Sequence, residues 1–376
     1  MFGFWAIPFI AIMALMLGPA QALEYTEPLF VFVIMVETSR SAPSSVAGGG
    51  PAHRGSVSHV LVVGHHRTMA GRISVWVLGL ALSCGAALAA PAVVCPPPLP
   101  TSAATGAPKD RGLLWRITRE GRSSWLYGTL HVGKPEWRRF GPQVAAALKG
   151  SDELALEVDP SDPALMTALA DTGPAPELPP ALQLRLAHAY ERACVASESL
   201  ASLHPVLQAT TLTVLEARWL GMDPAYAQEQ LLVAHGRAAR QRVFALETAS
   251  QQKAALVPPD AAEALATLEQ NLAQLEDQSG RRVLARMAQV WEQGNLTALE
   301  HYEQWCECAN TDDERAFMRR LNDERNPALA DGIEARHGQG RRVFAAVGAL
   351  HMTGPQALPL LLAQRGFKVE RVAFVP

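Results

Sequence analysis

The chain has 376 residues, with 33 Lys and Arg against 36 Asp and Glu and a formal net charge of −3. With no basic stripe and no arginines interleaved with aromatic residues, it lacks the marks of a nucleic-acid binder. Residues 1–89 hold four basic and three acidic residues, which leaves 29 and 33 from Ala90 onward, a net charge of −4. That part has no stretch long and apolar enough to span a membrane, and it suffices for one large domain or a domain with a sizeable insertion.

The chain begins with residues 2–23, apolar and uncharged, and residues 29–36, apolar again. Residues 38–58 are rich in Gly, Ser, Ala and Pro and cannot bury enough apolar surface to order themselves. Met69, the positive Arg72, an apolar run over 73–90 and the Ala87-Leu88-Ala89 cleavage pattern then spell a secretory signal peptide over 69–89. A complete signal at an internal Met predicts that Met69 is the true start and that 1–68 is a non-native extension. The alternative is that 2–23 is itself a signal or membrane anchor; it has the length but lacks flanking Lys or Arg. Leu82-Ser83-Cys84 is a poor lipoprotein site, so no lipid anchor is expected. The protein is therefore expected in the periplasm or outside the cell. Residues 90–110, rich in Pro and Ala, read as a linker before a domain over 111–376.

From Ala90 onward there are four cysteines, Cys95, Cys194, Cys306 and Cys308. An exported chain with an even number usually forms disulfides. Cys306 and Cys308 are too close to pair comfortably, so each is expected to bond one of Cys95 and Cys194. A metal reading of Cys-x-Cys lacks the other half of a zinc ligand set.

Residues 113–117 and 123–127 are two β-rich runs joined at Arg119-Glu120-Gly121-Arg122, a hairpin turn with Gly where positive φ is tolerated. Residues 140–149 read as a helix stopped by Gly150, and 154–158 as a short buried strand ending at Asp159-Pro160. From 180 to 240 apolar residues recur at helical spacing: Leu182, Leu186 and Tyr190, then Leu207, Thr211, Leu215 and Trp219. Gly221-Met222-Asp223-Pro224 breaks the run, and helix resumes over 225–236. Residues 242–246 form a strand ending in Glu247-Thr248. Helices follow over 260–304, broken near Ser279-Gly280 and Gly294-Asn295, and over 312–337, with Pro327 early in a second helix. The strand at 342–349, the helix at 355–365 closed by Gly366 and a last strand at 368–375 complete the order. This predicts an α/β fold: a central mixed β-sheet flanked by helices, with a large helical insertion over about 180–340.

A short phrase occurs twice. Tyr127-Gly128-Thr129-Leu130-His131-Val132-Gly133 and Val347-Gly348-Ala349-Leu350-His351-Met352-Thr353-Gly354 each run from an apolar strand into Gly-x-x-His and a second glycine. In open α/β sheets, sites gather beyond the carboxyl ends of strands, and His131, Glu157, Glu247 and His351 all fall there. Two imidazoles and one or two carboxylates make a plausible divalent-metal set, which would lower the pKa of bound water and polarise a carbonyl, with a carboxylate as general base.

Each residue also has a plainer reading. A lone histidine at a strand end is more often structural than a ligand. Glu157, in an apolar strand, needs a partner, and a salt bridge to Arg325 or a similar cation would supply one. Glu247 could cap the helix that begins near Ala249. Arg325, followed by Asn326 at a helix junction, could clamp a carboxylate or an oxyanion or brace two helices. There is no Gly-x-Ser-x-Gly, no His-Glu-x-x-His, no phosphate-binding loop and no dinucleotide fingerprint.

The ordered set of the first Gly-x-x-His, Leu156-Glu157-Val158-Asp159, Gly221-Met222-Asp223, Leu246-Glu247-Thr248 with Gln251 or Gln252, Arg325-Asn326 and the second Gly-x-x-His resembles the TraB/PrgY/GumN family, in its GumN-like branch of exported bacterial proteins. The resemblance covers roughly residues 113–375. The family is related to the Tiki metalloproteases, which use two Gly-x-x-His motifs and a glutamate, and is grouped with the erythromycin-esterase and ChaN-like fold. The resemblance implies His131 and His351 as metal ligands and Glu157 as the glutamate, and it leaves Glu247 and Arg325 at recurrent positions without assigned roles. The expectation is an exported hydrolase dependent on Mn²⁺, Co²⁺ or Zn²⁺, with a peptide or protein substrate. The alternatives are a non-catalytic peptide-sequestering protein and a metal-independent, esterase-like hydrolase with a histidine base.

Overall fold

The computed structural model describes residues 94–99, 106–171 and 175–374. The expected signal peptide and the extension before it lie outside these, as does part of the expected linker. Strands β1 (Leu113–Arg119) and β2 (Arg122–Thr129) form the expected hairpin. Glu120 and Gly121 both take positive φ, 52° and 69°, as a two-residue turn matching the strand twist requires. Then come α1 (Pro142–Lys149), β3 (Glu153–Leu156) and α2 (Pro163–Ala170), which Asp162 caps and Pro163 opens. α2 is additional to the expected elements.

Three helices, α3 (Pro180–Ala193), α4 (Pro205–Leu215) and α5 (Gln228–Ala239), lead to β4 (Arg242–Ala245). After β4 come α6 (Ala249–Leu256), α7 (Ala261–Glu276), α8 (Ser279–Glu292), α9 (Leu296–Glu300), α10 (Asp312–Leu321) and α11 (Asn326–Gly338). The chain ends with β5 (Val343–Gly348), α12 (Leu358–Gln364) and β6 (Lys368–Val372). The fold is α/β, as expected: a six-stranded mixed sheet in the order β4-β3-β5-β2-β1-β6. β4 divides the helical stretch in two by returning to the sheet edge.

β2, β5, β3 and β4 run parallel to one another, while β1 is antiparallel to β2 and to β6. Every residue of β3 and β5 is buried, which explains why all but Glu153, paired with Arg336, are apolar: a parallel strand covered on both faces has no polar side to alternate with. Thr129 pairs with Gly348, and Leu156 pairs with Ala346 on one side and Ala245 on the other. The carboxyl ends of four strands thus lie along one edge. The ladder runs on past β3 and β4, where Glu247 N donates to Glu157 O at 2.8 Å.

Helix α4 departs from expectation. The spacing of Leu207, Thr211 and Leu215 reads as one amphipathic stripe, but nearly the whole helix is buried, and Trp219 falls in a separate 3-10 turn. Its threonines tolerate burial because their hydroxyls turn back on the helix: Thr211 donates to Leu207 O at 2.7 Å and Thr213 to Ala209 O at 3.0 Å. Helix α8 locks β2, with Trp291 Nε1 donating to Gly128 O at 2.8 Å.

The disulfides overturn the expected pairing. Cys95 bonds Cys194 and Cys306 bonds Cys308. Glu307 between the latter pair has φ of 55°. This left-handed residue folds the chain back, so that the two Cα atoms stand 5.0 Å apart, within disulfide reach.

Candidate functional site

The two histidines, Glu157, Glu247 and Arg325 are each at least nine-tenths buried at the carboxyl edge of the sheet. His131 follows β2 and His351 lies in the 3-10 turn after β5. Gly348 stands between them. A Cβ placed on it would lie 3.1 Å from His131 Nε2, 3.4 Å from Glu157 Oε1 and 3.6 Å from His351 Cδ2. The missing side chain leaves a small space that both imidazoles and the Glu157 carboxylate border.

Arg325, the N-cap of α11, grips both carboxylates. Its Nε and Nη2 donate to Glu247 Oε1 and Oε2 at 2.9 and 2.5 Å, and Nη2 also reaches Glu157 Oε2 at 2.5 Å. Nη1 donates to Leu321 O at 2.8 Å. Glu157 further accepts from Gln252 Nε2 at 3.1 Å and from Gly348 N at 2.6 Å. Glu247 does not cap the helix after it; Thr248 does, in a capping box with Gln251. The Glu247 carboxylate joins the centre through Arg325.

Each histidine has a polar side chain beside its Nδ1. Asn326 Nδ2 donates to Gln356 O at 2.8 Å and to His351 O at 3.3 Å, so its Oδ1 must accept, and His351 Nδ1 lies 2.6 Å from it. The hydrogen on His351 is thereby assigned to Nδ1, leaving Nε2 a bare lone pair. Nε2 of each histidine has no hydrogen-bond partner; that of His351 stands 3.8 Å from Glu157 Oε2. His131 Nδ1 lies 3.0 Å from Glu229 Oε1, near enough for an ion pair although the alignment is poor for a hydrogen bond.

These surroundings separate the charges. Burial is the strongest influence on Glu157 and opposes its ionisation. Arg325, the two histidines and the Gly348 N–H together outweigh it and hold Glu157 down to about 2. Burial dominates at His351 and, helped by Arg325 and His131 against Glu157, brings it down to about 3. His131 is likewise disfavoured as a cation by burial, but Glu229 and Glu157 prevail and raise it. His351 is neutral and Glu157 ionised at any ordinary pH.

A model of the TraB/PrgY/gumN family matches residues 113–371. The chain belongs to the TraB/PrgY/gumN family. The match takes in both Gly-x-x-His phrases and runs from the first residue of β1 into β6. A model of a Na⁺/H⁺ antiporter family matches residues 1–81, a minor part of the chain outside the described residues. No curated protein and no solved structure matches the chain.

Within this family domain, the residues fit a divalent cation in identity and direction. Two imidazole Nε2 atoms and an ionised carboxylate border the space beside Gly348; His351 offers its lone pair as it stands, whereas His131, held toward its cationic form by Glu229 and Glu157, must give up a proton to ligate. They are not drawn to ligand distances: among the described residues no three His, Cys, Asp or Glu side chains form a ready cage. A cleft of about 490 Å³ opens at the ends of β3 and β4, with Asp159, Leu165, Leu246 and Glu247 in its walls. A larger one, about 990 Å³, lies between α7 and α10 and includes none of the five candidate residues.

The sequence singles out Asn326 and Gln252 only as parts of motifs and does not point to Glu229 at all. Glu229 sits in Gln228-Glu229-Gln230, which spells the solvent side of a helix. The one signal near it is the Gly-Met-Asp turn just upstream, which docks on the second glycine of the first phrase: Gly133 and Asp223 exchange backbone hydrogen bonds of 3.1 and 2.8 Å.

Proposed function

We propose that this protein is an exported hydrolase that cleaves a peptide or protein substrate with a divalent cation, Mn²⁺, Co²⁺ or Zn²⁺, held by His131, His351 and Glu157. The observation that carries this reading is the pair of buried imidazoles whose Nδ1 atoms face Asn326 and Glu229 and whose Nε2 atoms, beside Gly348, have no hydrogen-bond partner. A histidine that is only structural spends both nitrogens on hydrogen bonds when buried. Bound there, the cation would supply Lewis acidity for a substrate carbonyl and an activated water.

The chain's own residues would divide the work. Asn326 orients His351. Arg325 keeps Glu157 ionised, which suits a ligand better than a general base, since a base works best with a pKa near the operating pH. Glu247 holds Arg325 from behind, and Arg325, shifting from one carboxylate, could take a developing oxyanion. Substrate would dock in the cleft beside Glu247, next to the buried centre. Export is supported by the two disulfides and by the signal-peptide pattern.

Among the described residues no three-ligand cage is preformed, which favours a second reading, an esterase-like hydrolase in which a histidine acts on water without metal; His131, whose pKa is raised, suits that role better than His351. Metal analysis of the purified protein, with peptide cleavage by wild type, His131→Ala and His351→Ala, separates them. The metal reading requires bound cation and cleavage to vanish together in both variants. Turnover that survives exhaustive chelation supports the second reading, and peptide binding without turnover points to sequestration.

A further inference from the structure

Glu229 stands in the first turn of α5. A glutamate there ordinarily faces water, where it complements the helix dipole. This one is 4% exposed. Neither carboxylate oxygen receives a hydrogen bond, and its ion-pair neighbour is His131 Nδ1 at 3.0 Å. A buried carboxylate so poorly served is costly, and packing alone would favour an apolar residue.

The fold brings it there by a specific route. The turn at Asp223 pairs with Gly133, where a Cβ would collide with the Tyr226 carbonyl oxygen. Arg218 Nε steadies that turn by donating to Asp223 Oδ2 at 2.7 Å, and Gln228 N donates to Leu130 O at 3.2 Å. The start of α5 is thus fastened to residues on both sides of His131. Its second residue is delivered to the outer nitrogen of the ring.

We propose that Glu229 is the positioning residue of His131, holding the ring through Nδ1 so that Nε2 is aimed at the space beside Gly348. Asn326 does the same for His351 with a neutral amide. The two Gly-x-x-His histidines are therefore not equivalent: an anionic partner makes His131 the more electron-rich imidazole and the stronger ligand. This role rests on the reading of the centre as one that works through the Nε2 atoms.

The test uses the whole chain, metal-free, with ¹⁵N-labelled histidine rings assigned through His131→Gln and His351→Gln. At one fixed pH, alkaline enough for His131 to be neutral, wild type should show its hydrogen on Nδ1. In Glu229→Ala that signature should be lost or averaged with the Nε2 form, while the His351 resonances stay in place and certify the fold. An unchanged His131 signature in Glu229→Ala would overturn the proposal. Should that variant not fold, Glu229→Gln decides: a moved Nδ1 resonance supports the role and an unmoved one sinks it. Binding of Mn²⁺ alone should weaken on the order of 10–100-fold in Glu229→Ala; unchanged affinity would likewise count against it. If wild type cleaves no peptide, the hydrolase reading fails while the ring resonances still judge Glu229.

Discussion

A methyl group on Gly348 would stand 3.1 Å from Nε2 of His131. The glycine of the second phrase thus guards the histidine of the first. Its own φ of −50° is open to any residue, so the constraint is space rather than backbone strain. Gly348→Ala should therefore fold but lose on the order of 10–100-fold in turnover, because displaced reacting groups cost about that much. Thermal melting and peptide cleavage on the same sample check both halves; retained turnover would show that nothing binds beside Gly348.

Arg325 neutralises two buried carboxylates. Arg325→Met leaves Glu157 and Glu247 without their cation, and removing one member of a buried ion pair typically costs about 3–5 kcal/mol. Arg325→Lys should recover only part of this, because a point charge cannot reproduce the fork on Glu247. Urea unfolding of the three proteins gives the ranking wild type, Lys, Met in falling stability.

Acid should destabilise the metal-free protein in two overlapping windows. His351 is lowered from 6.5 to about 3 in the fold, so between those values the unfolded chain holds a proton that the folded chain refuses. Its contribution is complete above 6.5 and falls as pH drops. Glu157, lowered from 4.5 to about 2, adds stability that is complete above 4.5 and is lost as pH falls toward 2. The raised His131 runs the other way: its contribution is full below 6.5 and is lost as pH rises through its folded value. Urea midpoints should drop from about pH 7 to about pH 4, and less steeply in His351→Gln. An equal drop in that variant would refute the assignment to His351.

The two disulfides should differ in weight. Cys95–Cys194 spans 99 positions and Cys306–Cys308 only 2. Closing the long loop should contribute about 2–4 kcal/mol, so Cys194→Ser should melt well below wild type and Cys308→Ser closer to it. Peptide mapping under non-reducing conditions should recover residue 95 linked to residue 194.

Much of the fold was legible because its signals are local. Apolar runs mark the buried strands, Glu120-Gly121 marks the hairpin, and Pro327 marks the second position of α11. The exceptions share a cause. α4 spells an amphipathic stripe yet is buried almost all round, since threonine hydroxyls bonded to their own helix cost little inside. The cysteine pairing failed because one left-handed residue, Glu307, turns a two-residue spacing into a closed bridge.

The sequence alone determined the order of strands and helices and set four polar residues directly after apolar strands. Those features depend on neighbours a few positions away. Only the tertiary structure decided which side chains meet: Arg325 on both Glu157 and Glu247, Asn326 behind His351, Glu229 behind His131. These pairs are brought together by strand order and by the shared direction of β2, β3, β4 and β5, so no spacing along the chain encodes them. The repeated Gly-x-x-His phrase names two histidines, but the parallel pairing of Thr129 with Gly348 is what makes them one centre.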